Sequence, residues 1–512
     1  MDNYAHRGTR IAKNTLMLYV RMLVLMLVGL YTSRVVLEAL GESDFGVYGV
    51  VGGVVAMFTI ISGALNSAVS RFITFEMGKG PEAQLNKVYS TAVTIQLILG
   101  VIVVVLAEPI GLWFINNEMT IDPARIPAAE WVLHFSLLAF VINLMSVPQM
   151  ASITAHEKMS AYAYIGILDA GLRLTTALLI AHSAGDRLVQ YAALMAVTVA
   201  LVRIAYGIYC RLNFEECRYR AVFDRKLVGE MFAFAGWNFV GVTSGVLRDQ
   251  GGNILINLFA GAAGTAVNAA RGIAVQLNGA VQSFVTNFMT AVNPQITKSY
   301  AAGDLGYMFS LVRKSSKMSF FLLLMLVLPL ILNTEAVLDI WLTEVPNHTV
   351  LFVQLFLLFA LSESLSNPMI TAMLATGRIR NYQLVVGGIQ LLNIPVSYIF
   401  LKMGSAPEVT VVVAIVLSQI CLAARLIMLN RATSFPVGEF LEAVYAKSVF
   451  VVLPGAAVIP ALFELVKPDG FWGLVASVAV CVVWSAIVIY TLGMNNDERN
   501  MVKGILTKRR GE

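Results

Sequence analysis

Apolar runs of about 20 residues, the length that crosses a ~30 Å hydrocarbon core, recur along this chain between short polar connections. Hydropathy and turn residues predict about fourteen membrane helices. Six lie near 12–33, 46–66, 88–112, 131–153, 160–181 and 188–210. Beyond a basic connection come 230–258, 265–291, 318–333, 350–374, 382–401 and 409–430, then a last pair near 448–465 and 471–492. The expected fold class is therefore an all-α integral membrane protein.

Lys and Arg set the orientation. They gather in every second connection, leaving only Arg34, Arg125, Arg187, Lys402 and Lys467 on the opposite side. Both termini are expected in the cytoplasm, with the first helix retained as a signal anchor because no small-residue cleavage site follows it. The chain also repeats itself. A shift of 220 puts Ser146, Pro148, Lys158 and Tyr162 on Ser366, Pro368, Arg378 and Tyr382. A shift of 223 puts Gly41, Gly49, Ile73 and Thr74 on Gly264, Gly272, Ile296 and Thr297. Six spans per copy is an even number, so the copies are parallel. The expected organisation is an N-terminal six-helix lobe (1–212), a basic connection (213–229) and a C-terminal six-helix lobe (230–432). An appended helix pair (433–494) and a basic tail (495–512) complete it. In that tail Met501, Val502, Ile505 and Leu506 predict an interfacial helix.

Composition excludes most function classes. A chain of 512 residues that is 58% hydrophobic and 13% charged, with mean hydropathy +0.76, has no hydrophilic block for a soluble domain. Basic residues in scattered loops give no nucleic-acid surface. Cys210, Cys217, Cys421 and Cys481 form no metal spacing and no disulfide framework. Neither a nucleotide loop nor a nucleophile elbow occurs, so no cofactor is expected. An enzyme acting on membrane-linked glycans would need a sizeable extracytoplasmic loop. The longest here, near 113–130, is too short to house one.

The chemistry lies at lipid depth, where a charge is costly and faces protein or water. The cations are Arg21, Arg173, Arg203, Arg248 and Arg271; the acids are Asp169, Asp249 and Glu363. Asp169 and Arg173 have the i, i+4 spacing of a local ion pair, and Arg203 is near enough to a helix end to snorkel. Under the 223 shift Arg248 falls one helical turn from Arg21, so each lobe is expected to hold a guanidinium at similar depth. The run RDQGGN from Arg248 predicts a bend or local unwinding. Asn268, Arg271, Asn278 and Gln282 share one helix face with Thr286 and Asn293, a stripe suited to sugar hydroxyls and a pyrophosphate. Glu363 has no arginine within four residues on its helix, which makes it the candidate for ion coupling, the alternative being a satisfied partner of a nearby arginine.

Several stretches resemble a known family. They are NTLMLYVRMLVLMLVGLYTSRVVLEALG from Asn14, SRFITFEMGKG from Ser70, SVPQMASITAHEKMSAYAY from Ser146, GWNFVGVTSGVLRDQGGNILINLFAG from Gly236 and NPQITKSYAAGD from Asn293. Together they resemble bacterial polysaccharide transporters, the O-antigen flippase (Wzx-like) branch of the superfamily that includes MATE exporters. The resemblance implies a flippase of the inner membrane that moves a polyprenyl-pyrophosphate-linked oligosaccharide by alternating access for lipopolysaccharide or other surface polysaccharide. It implies a functional monomer working beside glycosyltransferases and a polymerase. Arg21, Arg248 and Arg271 would hold the pyrophosphate, Asn268, Asn278 and Gln282 would face the sugars, and Glu363 would couple an ion. The alternative within the same superfamily is a cation or drug antiporter.

Overall fold

The computed structural model describes residues 2–56, 58–119, 121–221, 224–260, 264–342, 345–454, 470–495 and 498–499. Among these the regular structure is helical throughout, without a strand. Ten helical segments are long and apolar enough to cross a membrane, so the protein is a multi-pass membrane protein. The expected count of about fourteen is not reached among the described residues. Spans expected near 46–66, 230–258 and 265–291 fall on helices that carry Arg71 with Glu76, Arg248 with Asp249, and Arg271 with several amides, which lowers their hydropathy. Most of the span expected at 448–465, and the four apolar residues of the tail, lie outside the described residues.

Two compact units are formed by Met1–Thr243 with Thr290–Asp304 and by Ser244–Met289 with Leu305–Glu512. In the first, α1 (Asp2–Ala56) kinks at Gly41, whose φ of 78° suits glycine. It is followed by α2 (Thr59–Gly78), α3 (Leu85–Asn117), α4 (Ile126–Leu144), α5 (Val147–Ala155), α6 (Met159–Ala181) and α7 (Arg187–Asn213). Helix α1 packs along α6, α4 along α7, and α2 against α5. The two halves of α8 (Arg225–Ala260) and of α9 (Gly264–Ala301) belong to different units. The second unit continues with α10 (Leu305–Leu332), α11 (Thr334–Trp341), α12 (Thr349–Ser364), α13 (Asn367–Ala375), α14 (Arg380–Leu391), α15 (Asn393–Lys402), α16 (Val409–Thr433) and α17 (Val437–Phe440). There α10 packs on α12 and on the last described helix, Gly470–Val488, and α16 packs on α12, α14 and α15.

The sequence repeat reappears in the helix ends. Helix α5 and helix α13 have the same length, start 220 residues apart, and each has proline at its second position. Proline lacks an N–H and clashes with the preceding turn, so it restarts a helix rather than continuing one. Both breaks close with the same hydrogen bond at 2.9 Å, Ser146 N–H to the Asn143 carbonyl and Ser366 N–H to the Glu363 carbonyl.

Polar ties hold the ends of the first unit. Arg125 bridges Asp44 and Asp186, and Asp186 also caps α7 by accepting from the Leu188 N–H at 3.1 Å. Partial burial pushes the Asp186 carboxyl up, but the Arg125 guanidinium and the capping N–H groups outweigh it and hold it below the ordinary range. Glu157 takes the left-handed region (φ 58°) where the repeat has Gly377 (φ 74°). Its carboxylate is fixed by Lys298 at 3.0 Å, and its carbonyl accepts from Asn14 at 3.3 Å.

Gly78 marks the tightest approach of α2 to the end of α9. A β-carbon there would stand 2.7 Å from the Lys298 carbonyl oxygen and 2.9 Å from its Cα. Backbone cannot rotate away, so Gly78→Ala should destabilise by about 1–3 kcal/mol, the usual cost of overpacking. Gly63, with open space around it, is the control. Thermal unfolding of the purified protein should show a lower midpoint for Gly78→Ala and little change for Gly63→Ala.

Candidate functional site

A cavity of ≈ 330 Å³ opens in the second unit between α8, α9 and α12, with Asn367 of α13 at its end. Helix α8 contributes Arg248, Asp249, Gln250 and Asn253; helix α9 contributes Arg271, Val275, Asn278 and Gln282; helix α12 contributes Phe356, Phe359 and Glu363. The α9 residues recur at i, i+4, i+7 and i+11, so a single helix face supplies that wall.

The two arginines of this cavity are held differently. Arg248 forms a two-pronged ion pair with its neighbour Asp249, at 2.8 and 3.2 Å, and lies over the Phe359 ring at 4.8 Å. Arg271 is 5% exposed and makes no ion pair among the described residues. Its Nη1 donates to two neutral oxygens, the Asp249 carbonyl at 2.9 Å and the Asn253 side chain. The Phe356 ring lies 5.6 Å away. Arg271 Nε and Asn278 Oδ1 are buried without a hydrogen-bond partner. Arg271 thus lines the cavity with its charge only partly met by hydrogen bonds, the condition under which an anionic ligand is favoured.

The local unwinding expected at RDQGGN does not occur, and α8 runs helical through it. Close approach explains the glycines instead. A β-carbon on Gly251 would meet Ile394 Cγ1 at 2.7 Å, and one on Gly252 would meet Arg271 Nη2 at 2.8 Å. Gly251 admits α15 and Gly252 admits the guanidinium.

Glu363 has a partner that local spacing does not reveal. Arg425 of α16, 2% exposed, brings Nη1 to 3.7 Å from the Glu363 carboxylate, and its Nε donates to the Tyr382 hydroxyl at 3.4 Å. The sequence counts Arg425 among the basic residues of a helix end, yet here it is fully enclosed. Its signal was a polar face on an apolar helix, Ser418, Cys421 and Arg425 at i, i+3 and i+7. Phe356 and Phe359 were also missed, since aromatics at helical spacing read as core.

The remaining expected residues lie elsewhere. Asn268 donates to the Asn253 carbonyl at 3.1 Å, behind the cavity wall. Arg21 belongs to the first unit, where it lies over the Tyr162 ring at 4.6 Å with Nε buried and unpartnered. It packs against Gly166 of α6, and under the 223 shift its counterpart is Ser244, which packs in the same way against Gly387. Arg248 lies one helical turn beyond that counterpart, the offset the 223 shift expects, and its contacts differ from those of Arg21. Asp169 and Arg173 do form their local pair, at 2.8 Å. Arg203 is half-buried, with Nη1 lacking a partner. All four cysteines are free and buried.

Comparison with known proteins decides the family. Residues 11–300 match the model of the polysaccharide biosynthesis protein family. The chain belongs to that family. Among solved structures this family member is similar to a crystal structure of MATE in complex with MaD3S. The TM-score is 0.72 at 13% identity, over 84% of this chain and 97% of that one. An outward-facing multidrug resistance MATE transporter of the MOP superfamily gives 0.70 at 12% identity, over 83% and 97%. A MOP superfamily transporter from Pyrococcus furiosus, described as having a binding pocket of reverse polarity, gives 0.66 at 12%, over 84% and 96%. No curated protein sequence matches. The fold of the polysaccharide biosynthesis protein is thus that of the MATE transporters.

Because Gly252 leaves room for the Arg271 guanidinium, Gly252→Ala should displace that group from Asp249 and Asn253 without touching α8 packing on α15. Ligand affinity or transport should fall while the unfolding midpoint stays near wild type. The reverse pattern, a lower midpoint with transport intact, would contradict this role for Gly252.

Proposed function

We propose that this protein is a transporter that flips a lipid-linked oligosaccharide across the cytoplasmic membrane, with the second-unit cavity holding its anionic and sugar groups. The observation that carries the reading is Arg271: a buried guanidinium lining the cavity without an ion-pair partner among the described residues and with one donor unsatisfied. Two guanidiniums (Arg248, Arg271) and two carboxylates (Asp249, Glu363) line it, and each carboxylate is already engaged by an arginine, Asp249 by Arg248 and Glu363 by the enclosed Arg425 behind it. Amides of Gln250, Asn253, Asn278 and Gln282 offer donors and acceptors for hydroxyl groups, while Phe356 and Phe359 offer flat apolar faces of the kind sugar rings stack on. The family match supports a role in polysaccharide synthesis.

In this reading the head group crosses by alternating access between the two lobes (1–212 and 230–432) while the polyprenyl tail stays in lipid. Both termini are cytoplasmic, and the partners are the glycosyltransferases and polymerase that make and consume the lipid-linked glycan. Arg21 contributes a cation from the first lobe. Glu363 couples transport to an ion by exchanging Arg425 for a proton, so its two forms favour different conformations. The MATE fold also suits a cation or drug antiporter. A cation, however, needs uncommitted carboxylates or an excess of acids, and here both carboxylates are committed to arginines.

Export of surface glycan in a strain lacking its own flippase tests the reading. A hydrogen bond to a charged group contributes about 1.5–3 kcal/mol, so Arg271→Ala should reduce export by ~10–100-fold with membrane insertion unchanged. Arg271→Lys should recover part of it, because an ammonium gives charge without the planar fork. Glu363→Gln should still bind the glycan lipid but lose its response to a pH gradient. Full export by Arg248→Ala/Arg271→Ala would remove the cavity from the mechanism.

A further inference from the structure

A second cleft of ≈ 390 Å³ lies in the same unit, away from the transport cavity. Ser310, Arg313, Lys314 and Lys317 of α10 form its wall; Glu439, Glu442 and Lys447 face them, and Asn495 with Glu498 close it. The four α10 residues lie at i, i+3, i+4 and i+7, one face of the first turns of that helix. The next stretch, Met318–Leu332, is apolar. The cleft therefore sits at the boundary between headgroups and hydrocarbon.

Its charges are graded with depth. Lys317 forms the floor, 3% exposed, with Glu498 as its counter-ion at 2.6 Å. The same Glu498 carboxylate accepts from the Asn495 N–H at 2.8 Å. Lys447 donates to the Asn495 side chain. The other two acids are at the rim: Glu439, paired with Arg313, is 63% exposed, and Glu442 is exposed. A single carboxylate from the chain's own C-terminal segment thus neutralises a buried ammonium in a basic cleft with room left over. Withdraw Glu498 and four cations face two solvated acids.

We propose that this cleft is a binding site for the phosphodiester headgroup of an anionic phospholipid, and that Glu498 occupies the phosphate position when no lipid is bound. One monoanion replaces another, so Lys317 stays compensated throughout. The phosphodiester brings more acceptor oxygens than the carboxylate, enough to engage Lys314 and Lys447 as well. A basic cluster at the end of an apolar helix is the general signature of anionic-lipid recognition. The apolar run of α10 places the cleft at the edge of the hydrocarbon, where lipid headgroups lie, which favours a lipid over a free phosphate. The proposal does not depend on the transported substrate.

Native mass spectrometry of the purified full chain, exposed to equimolar phosphatidylglycerol and phosphatidylcholine, tests it. Wild type should retain the anionic lipid in preference. Glu498→Gln should raise that retention by about threefold, and Lys314→Gln/Lys447→Gln should lower it by a similar factor, as expected for pairs at a half-exposed site. The two variants move in opposite directions, which general damage to the fold would not produce. Equal retention of both lipids by wild type would overturn the proposal, as would unchanged retention in both variants. Displacement of the bound lipid by millimolar inorganic phosphate would overturn the lipid assignment in favour of a free anion.

Discussion

A guanidinium does not give up its proton, so wherever hydrocarbon removes the water around one, the protein has to solvate it. Arg271 is the residue on which this constraint bears hardest. It is almost fully enclosed, and what surrounds it is neutral: a backbone carbonyl from α8, an amide oxygen one turn further on, and an aromatic face from α12. Much of the local design follows. Gly252 exists to make room for the group, and the polar α8 and α9 carry too many hydrophilic residues to read as ordinary spans. Partial solvation by neutral oxygens leaves the charge incompletely compensated. That residual demand is the basis on which we propose that the cavity takes an anion.

The acids of the same unit are consistent with that proposal. Asp249 and Glu363 would favour cations if they stood alone, but each is met by an arginine of its own. The Glu363 pair is the looser one at 3.7 Å, beyond hydrogen-bond distance, and it sits at the break between α12 and α13. A carboxylate at a helix break, held to a buried arginine by charge more than by hydrogen bonding, can change partners with little rearrangement. In the first unit the repeat places Asn143 at the corresponding break, without a charge. The copies share backbone devices and differ in chemistry.

The sequence revealed what depends on local periodicity. Span length, the offset of the two copies and the polar face of α9 were all legible, because each is written within one helix or in the spacing of two. Arg271, Asn278, Gln282, Arg248 and Glu363 were found by that route, and the structure brings them to one cavity. Pairings between distant helices were not legible. Arg425 meets Glu363 across 62 positions, and nothing in the spacing of either residue names the other. The glycines of α8 misled for a related reason. Two adjacent glycines signal a bend when only the chain's own backbone is considered, whereas here they admit Ile394 and Arg271 from other helices. A shared depth also says nothing of contacts: Arg21 lies over Tyr162, whereas Arg248, one turn further along the repeat, pairs with Asp249.

The central claim is that the cavity is built for an anion attached to a sugar, not for a cation. Purified protein in proteoliposomes can be offered both a fluorescent polyprenyl-pyrophosphate-linked glycan and a fluorescent organic cation, and the movement of each measured. The account predicts transbilayer movement of the glycan lipid, abolished by Arg271→Ala, with no exchange of the cation. Cation exchange dependent on Glu363, with no movement of the glycan lipid, would contradict it.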